Sequence, residues 1–215
     1  MKKIMFNNTY GLTQAVKQGT KTMTRRVLDL SEENEAWLDH TFDWNLCESD
    51  ILDRYAQYKV GEIVAVAQSY LEAYEELLAD EDWDNHHDKW GAFIHFLFNG
   101  EDHTVLKGWK NKMFVKSEVM PNRIRITERK IERLKSISAT DCLLEGVMLE
   151  PHSGLYYVPN LYIKRKAKQG DEPTLFSHPA YAYHHLCKKL RMVLDDSANP
   201  WVIAYTFELV KGTDQ

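Results

Sequence analysis

A chain of 215 residues with a net charge of −5 fits a single folded domain and disfavours a protein that binds polyanions over its whole surface. Its 44% hydrophobic and 12% aromatic residues are enough for a core, which excludes wholesale disorder. No stretch approaches the roughly 20 apolar residues of a membrane-spanning helix. The three cysteines form no CxxC pair and no disulfide pattern. We therefore expect one cytoplasmic domain over residues 1–215, with free thiols and no membrane contact.

The charged residues are arranged in blocks. Residues 31–53 and residues 71–88 each contain eight acids and neither Lys nor Arg, whereas residues 107–135 contain ten basic residues and three acids. This asymmetry allows a local cationic face on an acidic protein, although each block is also compatible with an ordinary solvated face.

The first elements in chain order are a short strand, a helix and an extended segment. Residues 4–6 form an apolar strand, after which Asn8 or Thr9 can cap a helix. Gly19 stands where a glycine commonly ends a helix, because glycine tolerates positive φ. Residues 21–27 then resume as β structure. The acidic residues 29–58, with helical patches at 33–38 and 51–58, resemble an insertion rather than core.

The middle of the chain predicts a strand, a helix and a hairpin. Residues 62–66 are typical of a buried strand, and Ser69 can cap the helix that follows. Residues 92–98 form an apolar run that ends at Asn99-Gly100, the dipeptide of a tight hairpin turn. We therefore expect a strand there and a return strand near residues 104–106.

The last part alternates strands with short helices. Residues 123–134 predict one long, half-buried strand with a bulge. Ser138 begins a capping box with Asp141 in the fourth position, and Gly146 stops that helix. Residues 147–179 are loop-rich and predict a second insertion. A helix over residues 181–193 and a closing strand over residues 201–207 follow. Strands with interspersed short helices, without a βαβ rhythm, favour an α+β fold built on a small mixed barrel.

The densest polar cluster lies in residues 20–26, which contain three cations and three threonines. Arg25 and Arg26 offer planar forks that can grip phosphate, and Lys21 offers a point charge or, if desolvated, a base. In a regular strand Lys21 and Thr24 would point to opposite faces, so they can cooperate only if the backbone turns or bulges between them. The alternative is an exposed edge strand that its charges protect from association.

A set of motifs occurs in a characteristic order along the chain. They are Ile4-Met5-Phe6-Asn7; Gly19, Lys21, Thr22, Thr24 and Arg26; Gly61-Glu62-Ile63-Val64; Gly108-Trp109-Lys110; Met120-Pro121 with Arg123-Ile124-Arg125-Ile126; residues 131–138; Glu145-Gly146; and Asn199-Pro200-Trp201-Val202. In this order the sequence resembles the ASCH domain family, relatives of the PUA domain, and in particular its larger, often phage-associated members. The resemblance is collinear from residue 4 to about residue 209.

The resemblance implies a PUA-like mixed β-barrel with peripheral short helices, here carrying insertions near residues 29–58 and 147–179. It implies a cleft floored by residues 21–26 and a role that touches RNA or modified nucleosides. Compact members of the family are amidohydrolases that deacetylate N4-acetylcytidine, and the positions that match their catalytic groups are Lys21, Thr24 and Glu145. In that hypothesis Lys21 is the base, Thr24 attacks the acetyl carbonyl or orients a water, and Glu145 carries a proton to the leaving amine. Arg26 would orient Glu145 or hold a phosphate.

Three functional hypotheses remain open from the sequence. The first is a module that binds RNA or a modified nucleotide through a cationic cleft; its binding residues would be Lys21, Thr22, Arg25, Arg26, Arg123 and Arg125. The second is the amidohydrolase of acylated nucleosides. The third is an interaction protein whose acidic blocks mimic nucleic acid. Residues 164–168, basic and flanked by tyrosines, suit either single-stranded nucleic acid or a solvated loop.

No cofactor and no metal ion is expected. The pairs His86-His87 and His184-His185 are adjacent residues, which point apart in a helix or strand, and no other ligands complete a tetrahedral set. The oligomeric state is left open by the sequence.

Overall fold

The computed structural model describes residues 1–30, 38, 44–99, 102–163 and 172–210. Within these ranges, no helix combines the length and the apolar character needed to cross a membrane. The predicted helical patch at residues 33–38 lies outside the described residues, apart from Leu38 itself, and so does the basic segment at residues 164–168.

A five-stranded mixed sheet lies at the centre of the fold. Its strands, with the two strands of a separate small sheet, are β1 (Lys3–Ile4), β2 (Met23–Val27), β3 (Ile63–Val66), β4 (Arg123–Arg133), β5 (Met148–Leu149), β6 (Tyr156–Tyr157) and β7 (Trp201–Leu209). The main sheet has the order β1-β3-β4-β7-β2, in which β1 and β3 are parallel and the other neighbours antiparallel. No pairing among the described residues closes this sheet into a barrel. The α+β class is confirmed at this level.

The helices pack around the sheet. They are α1 (Leu12–Lys17), α2 (Trp44–Tyr55), α3 (Tyr70–Ala79), α4 (His87–Leu97), α5 (Ala139–Leu144) and α6 (Pro179–Lys189), with 3-10 turns at His103–Val105, Lys112–Phe114, Ser117–Val119 and Leu134–Ser136. Two of the predicted caps are confirmed. The Ser69 hydroxyl accepts from the N–H of Glu72 in a reciprocal capping box, and the Ser138 hydroxyl accepts from the N–H of Asp141.

The predicted long strand with a bulge is confirmed in β4. This strand pairs with β7 over most of its length, and the register shifts between Ile126 and Glu128. Ile124 and Ile126 are fully buried, and Ile131 is buried beyond the shift. The bulge therefore changes which residues of β4 face the core, so that Lys130 and Glu132 come to lie opposite Ala204 and Val202 of β7.

The prediction of a β-hairpin at residues 92–106 is wrong. Residues 92–97 belong to α4, and residues 103–105 form a 3-10 turn. The buried side chains of α4 are Trp90, Phe93 and Phe96, which recur every three residues as on one face of a helix. A short continuous apolar run has no visible period, so a buried helix and a buried strand are indistinguishable from it.

The predicted cap of α1 is also wrong. The helix begins at Leu12 after Gly11, whose φ is +67°, and no side chain caps it. Asn8 instead accepts a hydrogen bond from the Thr13 hydroxyl at 2.5 Å. The reason is the tight turn at Gly11, which places the start of the helix three residues later than the polar residues suggest.

Both segments predicted as insertions contribute side chains to the main core. Ile51 and Leu52 of α2 are buried there, and so are Val158 and Phe176 of the second segment. A second, smaller core cluster lies between α3 and α4 around Tyr70, Trp90 and Phe93.

Candidate functional site

The segment that precedes β2 places Lys21 outside the alternation of the strand. Gly19 has φ +72° and lies just past the end of α1, which confirms its predicted role. The N–H of Lys21 donates to the carbonyl of Ala15 at 3.0 Å, so Lys21 is still held by the helix end. β2 begins only at Met23. Lys21 therefore lies ahead of the regular strand, and the alternation of β2 does not fix where its side chain points.

Glu145 is brought to the same place by the end of α5. Glu145 is the C-cap residue of that helix, and Gly146 ends it with φ +101°. The N–H of Thr22 donates to the carbonyl of Leu144 at 3.0 Å, which ties the β2 segment to the helix end. The polar turn and the helix terminus thus lie side by side although they are distant in sequence.

Lys21 and Glu145 form a buried ion pair. The Lys21 Nζ lies 2.7 Å from Glu145 Oε2, 2.8 Å from the Glu145 carbonyl oxygen and 2.6 Å from the Met23 carbonyl oxygen. The two residues are 2% and 4% exposed. Three acceptors match the three hydrogens of an ammonium group. Burial lowers the pKa of Lys21 from its usual value, although the charge of Glu145 opposes this shift.

Arg25 holds Glu145 from the other side. Its side chain is fully buried, and its guanidinium donates to Glu145 Oε1 at 3.1 Å. The same group also binds two further carboxylates, Glu132 Oε1 at 2.6 Å from Nε and Asp141 Oδ2 at 2.7 Å from Nη2. Burial by itself would lower the pKa of Arg25, but the charges of the surrounding acids raise it overall. Arg25 is thus a permanent cation that is committed to protein carboxylates.

Arg26 does not orient Glu145, contrary to the hypothesis from the sequence. Its Nη2 donates to the carbonyl oxygen of Met5 at 2.8 Å, and its buried Nε has no hydrogen-bond partner within the described ranges. The physical reason is that Arg25 already occupies Glu145 Oε1 and Lys21 occupies Oε2, while the Arg26 guanidinium is held at the Met5 carbonyl.

A cavity of about 340 Å³ opens beside the ion pair. Lys21, Thr24 and Glu145 line it together, and its volume lies within the range of small-molecule sites. Thr24 is 6% exposed, and within the described part of the chain its hydroxyl makes no hydrogen bond. The remaining lining residues are Met5, Phe6, Asn7, Leu12, Arg25, Arg26, Val27, Tyr183, Leu186, Leu190, Arg191 and Met192.

Three of the predicted binding residues lie away from this cavity. Thr22 contributes backbone hydrogen bonds to Leu144 and Phe207 and does not line it. Arg123 and Arg125 lie in the first half of β4, where they pair with β3 residues rather than with β2. Of the predicted site residues, the cavity is therefore lined by Lys21, Thr24, Arg25, Arg26 and Glu145. Arg123 and Arg125 lie on a different part of the sheet.

Sequence reasoning did not assign Glu132, Asp141 or Tyr183 to the site. The sequence indicated only that Asp141 belongs to a helix cap. Glu132 is an acid in a basic strand, and the bulge decides to which face of the sheet its side chain points. Hydrogen bonds from Arg25 and Lys130 outweigh burial and lower the pKa of Asp141. Tyr183 comes from α6 and is 4% exposed. The sequence indicated only that Tyr183 belongs to an amphipathic helix, which does not distinguish a site residue from a core residue.

The histidine pairs have carboxylate neighbours. His86 Nδ1 lies 3.0 Å from Asp80 Oδ2, and His184 Nε2 lies 2.8 Å from Asp196 Oδ1. Within the described ranges, no group of three or more His, Cys, Asp or Glu side chains could hold a metal ion.

No family model, no curated protein and no solved structure matches the chain. Its function is therefore argued from the chemistry of the cavity.

Proposed function

We propose that the protein binds an N4-acylated cytidine-type nucleoside in this cavity and hydrolyses its amide bond. One observation carries the proposal: Lys21, Thr24 and Glu145 line a common cavity although they come from a turn, a strand and a helix end. A threonine hydroxyl that lines the same cavity as a buried Lys–Glu pair supplies a nucleophile, a base and a proton donor, the groups that nucleophilic catalysis of acyl transfer uses.

The chemistry follows from the ion pair. The three hydrogens of Lys21 are all donated, so Lys21 can act as a base only after one proton moves to Glu145 across the 2.7 Å bond. The lowered pKa of Lys21, caused by burial, favours that transfer. The resulting neutral amine accepts the Thr24 proton, and the protonated Glu145 holds the proton that the leaving amine needs.

Two steps complete the reaction. Thr24 Oγ1 bonds to the acyl carbon while the C–N bond breaks and the amine takes the proton of Glu145. Water then attacks the Thr24 ester, its proton passes to Glu145, and the Thr24 oxygen regains a proton from Lys21. The products are a free cytidine-type base and a carboxylic acid, and a final proton transfer from Glu145 back to Lys21 across their hydrogen bond restores the starting ion pair. Substrate binding has to align Thr24 with Lys21, since no hydrogen bond joins these two described residues.

The direct test is release of acetate and cytidine from N4-acetylcytidine by the purified protein, followed by chromatography at enzyme concentrations that reveal slow turnover. Thr24→Val removes the nucleophile at constant shape and should reduce the rate at least about 10³-fold. Thr127→Val is the matched control, because Thr127 is an exposed threonine in β4 away from the cavity. Absence of turnover by the wild-type protein would reject the hydrolase assignment.

A second candidate is a binding module for RNA or a modified nucleotide that performs no hydrolysis. The observation that favours it is the presence of Arg26 and Arg191 in the lining, where Arg26 Nε finds no partner in the described part of the chain. Affinity for a nucleotide should then fall with rising salt, because phosphate contacts are lost. Replacement of Lys21 by Ala distinguishes the two candidate functions. It should abolish turnover if the protein is a hydrolase, and should only weaken nucleotide affinity if the protein is a binding module.

The proposed function agrees with an ASCH-type, PUA-like fold, which we propose for this chain. The support is the order in which the motifs appear as structural parts: the Gly19 turn and β2, then β3, β4, the end of α5, and β7. A solved structure that shows β1 and β2 joined through further strand pairing would bear out the barrel.

A further inference from the structure

Tyr183 belongs to the part of the cavity lining that α6 supplies. It lies in the middle of α6, a helix of 11 residues whose buried face also includes Leu186 and Cys187. Tyr183 is 4% exposed and lines the same cavity as Thr24 and Glu145. No role is assigned to it by the hydrolytic scheme above.

The hydroxyl of Tyr183 is buried and has no hydrogen-bond partner among the residues that the structure describes. The Cys187 thiol, one helical turn further along, influences its ionisation but does not form a hydrogen bond of ordinary geometry with it. A buried hydroxyl without a partner destabilises a folded protein, and phenylalanine has the same shape without this cost. Stability alone therefore does not explain a tyrosine at this position.

Tyr183 and Glu145 line the same cavity, and the Glu145 carboxylate influences the ionisation of the Tyr183 hydroxyl. Burial raises the pKa of Tyr183 well above its usual value, and the charge of Glu145 contributes to the shift, while Arg25 acts in the opposite direction. The group is therefore a protonated hydroxyl, able to donate, at any physiological pH. Lys21 and Arg25, the other donors around Glu145, are already committed to protein oxygens.

We propose that Tyr183 is a substrate-binding residue whose hydroxyl donates a hydrogen bond to the acyl oxygen of the ligand. The inference rests on the proposed function and deepens it, because it specifies the ligand as one that places a carbonyl-type acceptor between Tyr183 and Glu145. Negative charge develops on the acyl oxygen when Thr24 attacks. A hydrogen bond from the Tyr183 hydroxyl to that oxygen therefore strengthens during the reaction.

The experiment compares Tyr183→Phe with the wild type in three measurements. The first is kcat/KM for acetate release from N4-acetylcytidine, which should fall about 10- to 100-fold, mainly through kcat. The second is calorimetric binding of N4-acetylcytidine and of cytidine in a Thr24→Val background, where only the acylated ligand should lose affinity. The third is thermal unfolding, where Tyr183→Phe should melt at the same or a higher temperature. Tyr181→Phe is the matched control, since this tyrosine of the same helix is 62% exposed.

Each outcome decides the question. Unchanged rates and affinities in Tyr183→Phe overturn the inference and leave the hydrolase proposal in place. A wild type without turnover that still binds N4-acetylcytidine through Tyr183 rejects the hydrolase and keeps the hydrogen-bond donor. If the wild-type protein and its Thr24→Val variant bind neither nucleoside, both proposals are rejected. A lower melting temperature together with equal losses for both ligands shows a structural role for the hydroxyl and also overturns the inference.

Discussion

Lys21 and Glu145 form an ion pair at 2.7 Å across a separation of 124 residues in sequence. The pair is almost completely removed from solvent, and Arg25 contacts the second oxygen of the same carboxylate at 3.1 Å. A buried carboxylate held by two cations is fixed in both position and orientation, which is what a group that must move a proton to a bound substrate requires.

Separating the partners of this pair should be strongly destabilising. Glu145→Gln leaves the buried Lys21 ammonium without its carboxylate partner and should lower the free energy of unfolding by about 3–5 kcal/mol, whereas Lys21→Met leaves Glu145 with Arg25 and should cost less. The double variant should be destabilised by less than the sum of the two, since neither charge is then left alone. Urea unfolding of the four proteins measures this coupling, and strictly additive losses would show that the contact contributes little.

Arg25 should not be replaceable by lysine. Its guanidinium binds Glu132, Asp141 and Glu145 at once, and the single ammonium of lysine cannot span three carboxylates. We expect Arg25→Lys to reduce the free energy of unfolding by about 2 kcal/mol or more. Arg26→Lys is the control on the same strand, and chemical denaturation should show a loss well below that of Arg25→Lys. Equal losses for the two variants would contradict the assigned role.

Gly146 should not tolerate a side chain. Its φ is +101°, and a Cβ there would lie 3.0 Å from Leu12 Cδ2 and 3.6 Å from Lys21 Cδ. Gly146→Ala should therefore lower the free energy of unfolding by about 1–3 kcal/mol and displace Lys21 from its partners. Gly91→Ala is the contrasting control, because a Cβ at that helical position meets no atom within 4 Å and should stabilise the helix by up to about 1 kcal/mol. Thermal and urea unfolding report both effects.

Glu76 should make stability depend on pH in the acid range. Burial would raise its pKa, but hydrogen bonds from Lys17, Asn122, Gln68 and Lys89 outweigh it and lower the pKa from 4.5 to about 2. The folded value lies below the unfolded one, so the stabilisation is present above pH 4.5 and is lost as the pH falls towards 2; a shift of this size corresponds to about 3 kcal/mol.

The measurement for Glu76 is the unfolding free energy of the wild type minus that of Glu76→Gln between pH 7 and pH 2. This difference should shrink as the pH falls through the stated window. Glu75→Gln removes an exposed carboxylate from the same helix and serves as the control for a change of one charge. A difference that stays constant down to pH 2 would show that the network around Glu76 does not favour its ionised form.

The sequence by itself determined the parts of the fold whose signals are local. Ser69 and Ser138 cap helices because a serine oxygen satisfies an N–H two or three residues ahead, and Gly19 and Gly146 end helices because only glycine adopts positive φ without strain. The long strand β4 and its bulge were also predictable, from the alternation of its isoleucines. Local patterns predicted the wrong element at residues 92–98, because an apolar run without a visible period is compatible with a buried helix as well as with a buried strand.

Only the tertiary structure decided which charges meet. The turn after Gly19 brings Lys21 to Glu145, and the bulge in β4 brings Glu132 to Arg25, across separations of 124 and 107 residues. Whether a cation binds a ligand or a protein carboxylate depends on these distant partners. The sequence made Arg25 a candidate for binding phosphate, but in the fold it binds three carboxylates. The sequence also could not predict that the Tyr183 hydroxyl has no hydrogen-bond partner among the described residues. Burial and hydrogen bonding depend on contacts between distant parts of the chain, which local sequence patterns do not show.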